Sequence, residues 1–254
     1  MKKSKVLFGD DINNRFAMAV PVALVSSLML VHLLAVPVYA LLSGAAGAAV
    51  ASVAAWVLQT TPLIVVSLLW YAAAKELSLM ACVAGRWTAK LLIQALIMTV
   101  GLCSLVVIAY ATWQWFVILL VGTYAIDSLA YGTGRAFARL SGKPTHKLPF
   151  GLDRMSPNKT IEGFIGGAVV GWIVAGLLAW LFVATAGLVL GWYGVLVIAM
   201  MPFTAFVGDV FESQVKRDVG VKDAGDCLGA HGGVMDRLDS VAAVYVSATP
   251  LLFI

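Results

Sequence analysis

The sequence predicts an all-α polytopic integral membrane protein with about seven transmembrane helices (six to eight), and three observations carry that expectation. Of 254 residues, 61% are hydrophobic and 12% charged, with a mean hydropathy of +0.96; soluble domains carry about a quarter of their residues charged. Asp, Glu, Lys and Arg are absent from four tracts, Phe16 to Ala74, Leu91 to Ile126, Gly163 to Gly208 and Ser240 to Ile254. The basic residues gather between these tracts, as the Lys/Arg excess of cytoplasmic loops requires.

A helix crosses the hydrocarbon core in roughly 20 apolar residues. The first tract, of 59 residues, therefore holds two spans; the second, of 36, two short ones; the third, of 46, two more. The last, of 15, is marginal. The second tract leaves almost nothing for a turn, and Trp113-Gln114-Trp115 near its middle is where a hairpin would surface, because Trp prefers the interface. Even numbers of crossings put the polar segments 1–15, 75–90, 127–162 and 209–239 on one side, and their Lys and Arg content makes that side the cytoplasm. The expected location is the bacterial inner (plasma) membrane.

Other classes are excluded on composition. A cleaved secretory signal would need a short apolar stretch, whereas apolar character runs on from Phe16 past Leu42. Cys82, Cys103 and Cys227 are too sparse for a disulfide framework or a CxxC metal site. The basic residues lie in inter-span loops, so topology accounts for them and no nucleic-acid partner is implied. Small residues at spacings of three and four, Gly163, Gly166, Gly167, Gly171 and Ala175, let helices approach closely, within one chain or in a homodimer. Pro21, Pro37, Pro62 and Pro202 should kink or end helices. His32, with no carboxylate in its tract, reads as a packing residue.

The chemistry lies in the polar segments. Segment 209–239 holds seven of the thirteen acids, Asp209, Glu212, Asp218, Asp223, Asp226, Asp236 and Asp239, against Lys216, Arg217, Lys222 and Arg237. Its net charge is −3 inside a +4 chain, where topology alone would make it basic. Clustered carboxylates with few sulfur or imidazole donors suit a hard cation such as Mg²⁺, commonly completed by substrate phosphates. The interleaved Lys and Arg suit those phosphates. Together they outline a phosphoryl- or nucleotidyl-transfer site, where positioning and charge compensation supply most of the catalysis; a solvated charged linker is the bland alternative.

Glycines 220, 225, 229, 232 and 233 flank His231, and backbone this permissive can offer N–H donors to a phosphate. Asp236, Asp239 and Ser240 would share a face on a helix beginning near Val234. Upstream, Ser156, Thr160 and Glu162 read equally as a helix start. Asp127 ends a charge-free tract near the bilayer boundary, where an acid is costly unless paired or bound to a cation.

Read whole, Ser213-x-x-Lys216-Arg217, then Lys222-Asp223, then His231-Gly232-Gly233-x-x-Asp236-Arg237-x-Asp239 closely resembles the C-terminal signature of the phosphatidate cytidylyltransferase (CDP-diacylglycerol synthase) family. The resemblance extends upstream through Asp127-Ser-Leu-Ala-Tyr131 and Ser156-Pro-Asn158-Lys159-Thr160-Ile-Glu162-Gly163, covering about residues 120–245. Asn158 stands where the family usually has lysine, and Gly229-Ala230 where proline-glycine commonly precedes the histidine. It divides the chain into an N-terminal transmembrane region, 1–120, and a C-terminal transmembrane catalytic region, 121–254, with the signature at 213–239.

The resemblance implies a transferase of phospholipid biosynthesis that moves a cytidylyl group from CTP to phosphatidic acid, with Mg²⁺ and room for a second, monovalent cation. It implies Asp223 and Asp236 as metal ligands, with Asp127 and Asp209 as further ones. Lys216, Arg217, Lys222 and Arg237 become phosphate clamps, Ser213, Ser156, Lys159 and Thr160 substrate contacts, and His231 a donor to pyrophosphate. Two alternatives stand beside it: a CTP-dependent enzyme acting on another lipid phosphate, and a membrane transporter, whose polar groups would sit near the bilayer midplane.

Overall fold

In the computed structural model, the described residues are 47–142, 144–149, 151–152, 156, 159–225 and 232–253. They form six α-helices: α1 Gly47–Val83, α2 Ala89–Ala111, α3 Trp113–Ser141, α4 Ile161–Ala186, α5 Trp192–Val219 and α6 Met235–Ala248, the last continuing into a 3-10 turn, Thr249–Phe253. Five of these, α1 from Pro62 through α5, are long and apolar enough to cross a membrane. The first span expected in Phe16 to Ala74, together with His32, Pro21 and Pro37, lies outside the described residues, as does His231.

The hairpin expected at Trp113-Gln114-Trp115 is present: α2 ends at Ala111, α3 starts at Trp113, and Thr112 joins them. One expectation is narrowed and one corrected. Pro62 and Pro202 lie inside α1 and α5 and end neither helix, as happens in apolar helices whose neighbours re-satisfy the freed backbone. Segments 75–90 and 127–162 are also less loop-like than their charge predicts, since α1 runs through Lys75, Glu76 and Cys82, and α3 through Asp127 to Arg139. At 1.5 Å per residue the 29 residues of α3 reach about 43 Å, longer than a hydrocarbon core of about 30 Å, so the helix can carry arginines in its last turns beyond the apolar layer.

Close packing of small residues sets the helix positions. A Cβ on Gly163 would come within 2.6 Å of Ala130 O, one on Gly167 within 2.8 Å of Ala130 Cβ, and one on Gly171 within 2.2 Å of Ile126 Cγ1. The glycine face of α4 is thus turned to α3 within one chain. Gly101 of α2 stands against Ala242 of α6, and Gly208 of α5 against Ala243 and Asp239. α6, only 14 residues long, is therefore wedged between α2 and α5 and buried along Met235, Leu238, Val241, Val244 and Tyr245. Its far half joins a core with Ile118, Leu119 and Met201, and its near half a second core with Leu77, Met80, Leu91 and Leu102.

The polar connections meet at one end. Lys90 pairs with Asp218, Lys159 with Asp209, and Glu76 accepts backbone N–H groups of Val234 and Met235. The aromatic turns meet at the other: Gln114 Nε2 donates to Ala186 O, Trp113 packs edge-on against Phe182, and Tyr193 OH donates to Ser247 O.

Candidate active site

A cavity of about 470 Å³ opens at the polar end. Its wall takes Ile126, Asp127, Ala130 and Tyr131 from α3, Ser156, Lys159 and Thr160 from the segment before α4, and Phe164 from α4 itself. Phe206 and Asp209 of α5 and Arg237 of α6 complete it. Residues from all three sequence motifs, up to 110 positions apart, therefore face one space. Helical spacing explains the pairings: Asp127 and Tyr131 lie four apart on α3, and Phe206 and Asp209 three apart on α5, so each pair shares a face.

Within the cavity the charges are arranged in order. Lys159 Nζ pairs with an Asp209 carboxylate oxygen and lies 4.9 Å from the centre of the Phe206 ring, an orientation favoured by cation–π attraction. Ser213 Oγ donates to Asp209 Oδ1 at 3.4 Å. Thr160 caps α4, its hydroxyl accepting the Gly163 N–H at 3.1 Å, which fixes the direction in which Lys159 leaves the backbone. Glu162 accepts the His146 N–H, and Lys147 bridges to Thr160, closing the preceding loop. Beside the cavity, Asp239 is buried; its burial, then the Asp209, Glu212 and Asp127 carboxylates, push its pKa well above the ordinary value. At the rim the Arg135 guanidinium lies 4.7 Å from the centre of the Tyr131 ring.

A second cluster supports the signature loop. Lys216 Nζ lies 2.5 Å from both Glu212 Oε2 and Asp236 Oδ1. Asp236 also accepts the Ala224 N–H at 3.0 Å and the Gly233 N–H at 2.8 Å. Burial opposes its ionisation, but Lys216 and the Gly233 N–H outweigh burial and hold the carboxyl below its ordinary value. Glu212 is fully buried. Arg217, exposed, donates from Nη1 to Val221 O. Gly232, at φ +79°, turns the backbone into α6 in a conformation that residues with a side chain rarely adopt.

The sequence-predicted residues therefore fall into three groups. Asp127, Ser156, Lys159, Thr160, Asp209 and Arg237 face the cavity, with Ser213 bonded to Asp209 behind them. Lys216 and Asp236 bind each other in the loop cluster, away from the cavity wall. Lys222 and Asp223 are exposed on the turn between α5 and Ala224, and Arg217 is exposed just before it. Sequence reasoning counted Glu212 among the acids of the segment without giving it a partner, and it missed Glu76. Glu212 had a signal, its spacing of four from Lys216; Glu76 had none that pointed 158 residues downstream.

Among the described residues, no three His, Cys, Asp or Glu side chains are grouped so as to hold a metal ion by themselves. Two carboxylates on a cavity wall, Asp127 and Asp209, nevertheless fit Mg²⁺, which is commonly held by one or two carboxylates and completed by substrate phosphates and water.

Residues 12–254 match the model of the cytidylyltransferase family, so the similarity reaches well upstream of the motifs at 120–245. The chain is 40% identical over 134 residues to a phosphatidate cytidylyltransferase of Mycobacterium leprae, over 53% of this chain and 39% of that protein. It is 40% identical over 139 residues to a Brucella abortus protein of the same name, over 54% of this chain and 45% of that one. The chain thus spans less than half the length of the relatives it matches.

Proposed function

The chain belongs to the cytidylyltransferase family, and from that premise we propose that it transfers the cytidylyl group of CTP to phosphatidic acid, giving CDP-diacylglycerol and pyrophosphate. The observation that carries the reading is a cavity, bordered by apolar helices, onto which acids, cations and hydroxyls of all three motifs converge. A phosphate oxygen of the lipid forms a bond to the α-phosphorus of CTP as the bond from that phosphorus to the bridging oxygen breaks, and pyrophosphate leaves with the electron pair. No protein nucleophile is required.

Lys159 and Arg237 would hold phosphate oxygens, and Ser156 and Thr160 would donate hydrogen bonds to them. The Phe206 ring, under the Lys159 ammonium, would favour that position of the cation. Asp127 and Asp209 would hold Mg²⁺, which when bound offsets charge on the transferring group and polarises its oxygens. The exposure of Lys222 and Asp223 on the signature turn supports assigning them to the nucleotide side, and Lys216 and Asp236 keep that turn in place. The polar end would face the cytoplasm, where CTP is found, as the Lys and Arg of its connections support. The membrane would be the bacterial inner membrane.

Incubation of the purified protein with phosphatidic acid, Mg²⁺ and CTP labelled at the α- or the γ-phosphate tests the reading. It predicts α-label in a lipid extract and γ-label released as pyrophosphate. γ-Label in lipid would instead identify a lipid kinase, and α-label only with a different lipid phosphate would move the acceptor.

A further inference from the structure

We infer that Glu76 is a positioning residue for the transfer site, holding from α1 the start of the helix that presents Asp236 and Arg237. The first N–H groups of a helix have no partner within it, and Val234, at the start of α6, supplies no side-chain cap. Glu76 supplies one from across the molecule: Oε1 accepts the Val234 N–H and Oε2 the Met235 N–H, each at 2.8 Å. A carboxylate at that end is further favoured by the helix dipole. The residue is 3% exposed, so its oxygens are largely shielded from water.

The same side chain gauges both ends of the signature loop. A Cβ on Gly225 would come within 2.8 Å of Glu76 Cγ, and one on Gly233 within 2.5 Å of Glu76 Oε2. The backbone before and after the loop therefore lies flat against this carboxylate. Next along, Asp236 accepts the Gly233 N–H and the Lys216 ammonium, and Arg237 reaches the cavity wall. Glu76 does not line that wall; it acts through α6. The kinetic half of this inference rests on the proposed transfer reaction, while the structural half does not.

The whole protein in detergent, as wild type, Glu76→Gln and Gly233→Ala, is compared by amide hydrogen exchange and by CDP-lipid formation. Glu76→Gln keeps the size but turns an amide NH₂ towards one of two N–H donors, and Gly233→Ala keeps the carboxylate but pushes it aside. Exchange at 232–240 should rise roughly tenfold or more in both variants while peptides of α2 to α4 keep their protection. With the Lys159 and Ser156 contacts on other elements left in place, kcat should fall roughly tenfold or more with KM for CTP changed less than about threefold. Glu76→Asp, which retains the charge, should recover part of kcat. Wild-type exchange at 232–240, wild-type kcat in Glu76→Gln, or deprotection spread over every helix would overturn the inference. If the wild type forms no CDP-lipid, the substrate reading fails; the exchange comparison then decides alone, local deprotection upholding the Glu76 contact and unchanged exchange refuting it.

Discussion

The cavity and the signature loop hold the same kinds of residue in opposite states. Around the cavity, Asp127, Lys159, Asp209 and Arg237 border open space, and the Lys159–Asp209 pair is about a quarter exposed. In the loop cluster, Lys216 is enclosed by Glu212 and Asp236, while Glu76 and Asp236 accept backbone N–H groups. Charge on the open wall, even where it is paired as Lys159 is with Asp209, can be reached by a substrate; charge enclosed among protein groups holds in place the backbone around the start of α6. One signature thus encodes two jobs, and substitutions in the two regions should fail differently.

The largest effect on turnover is expected at the cavity. Asp209→Asn or Asp127→Asn should lower kcat by about a hundredfold or more, the scale of losing one charge-stabilising group at a transferring centre, with the melting temperature nearly unchanged. The largest effect on stability is expected in the loop cluster. Lys216→Met leaves Glu212 and Asp236 enclosed without their cation and should cost about 3–5 kcal/mol, read as a lower melting temperature in detergent.

The same pair sets an acid limit. The Asp236 carboxyl is held below its ordinary value, so its contribution is fully present above the unfolded-state pKa and is lost as pH falls through the lower folded one, below about 4. Acid unfolding monitored by tryptophan fluorescence should show this dependence in the wild type and lose it in Lys216→Met. Gly101→Leu, which forces α2 away from Ala242 of α6, should cost about 1–3 kcal/mol by overpacking. Lys90→Ala removes an exposed pair, 41% and 50% accessible, and should change stability by at most about 1 kcal/mol and turnover not at all.

The sequence made the helical class and the Trp113 hairpin legible because both follow from lengths: charge-free tracts measured against a bilayer. Segment 209–239 stood out as a candidate site because its excess of acids contradicts the topology rule, whereas its cations alone would follow it. The boundary at Asp127 was not, since charge marks where a chain leaves the apolar layer rather than where a helix ends, and α3 continues to Ser141. The division of labour within the signature was also hidden. Lys216 and Arg237 are both cations in one motif, and only the packing of α5 against α6 sends one to Asp236 and the other to the cavity. Glu76 could not be read at all, because its partners are backbone groups on a distant helix.

If cytidylyl transfer takes place at the cavity, as proposed, loss of one wall carboxylate should stop it in a protein that still folds. The direct measurement is the kcat of α-labelled CDP-lipid formation in the wild type and in Asp209→Asn, each with its melting temperature taken in the same detergent. Lipid-soluble label is expected from the wild type, with a loss of about a hundredfold or more in Asp209→Asn and melting temperatures within a few degrees of each other. Full turnover by a folded Asp209→Asn protein, or no labelled lipid from a folded wild type, would contradict it.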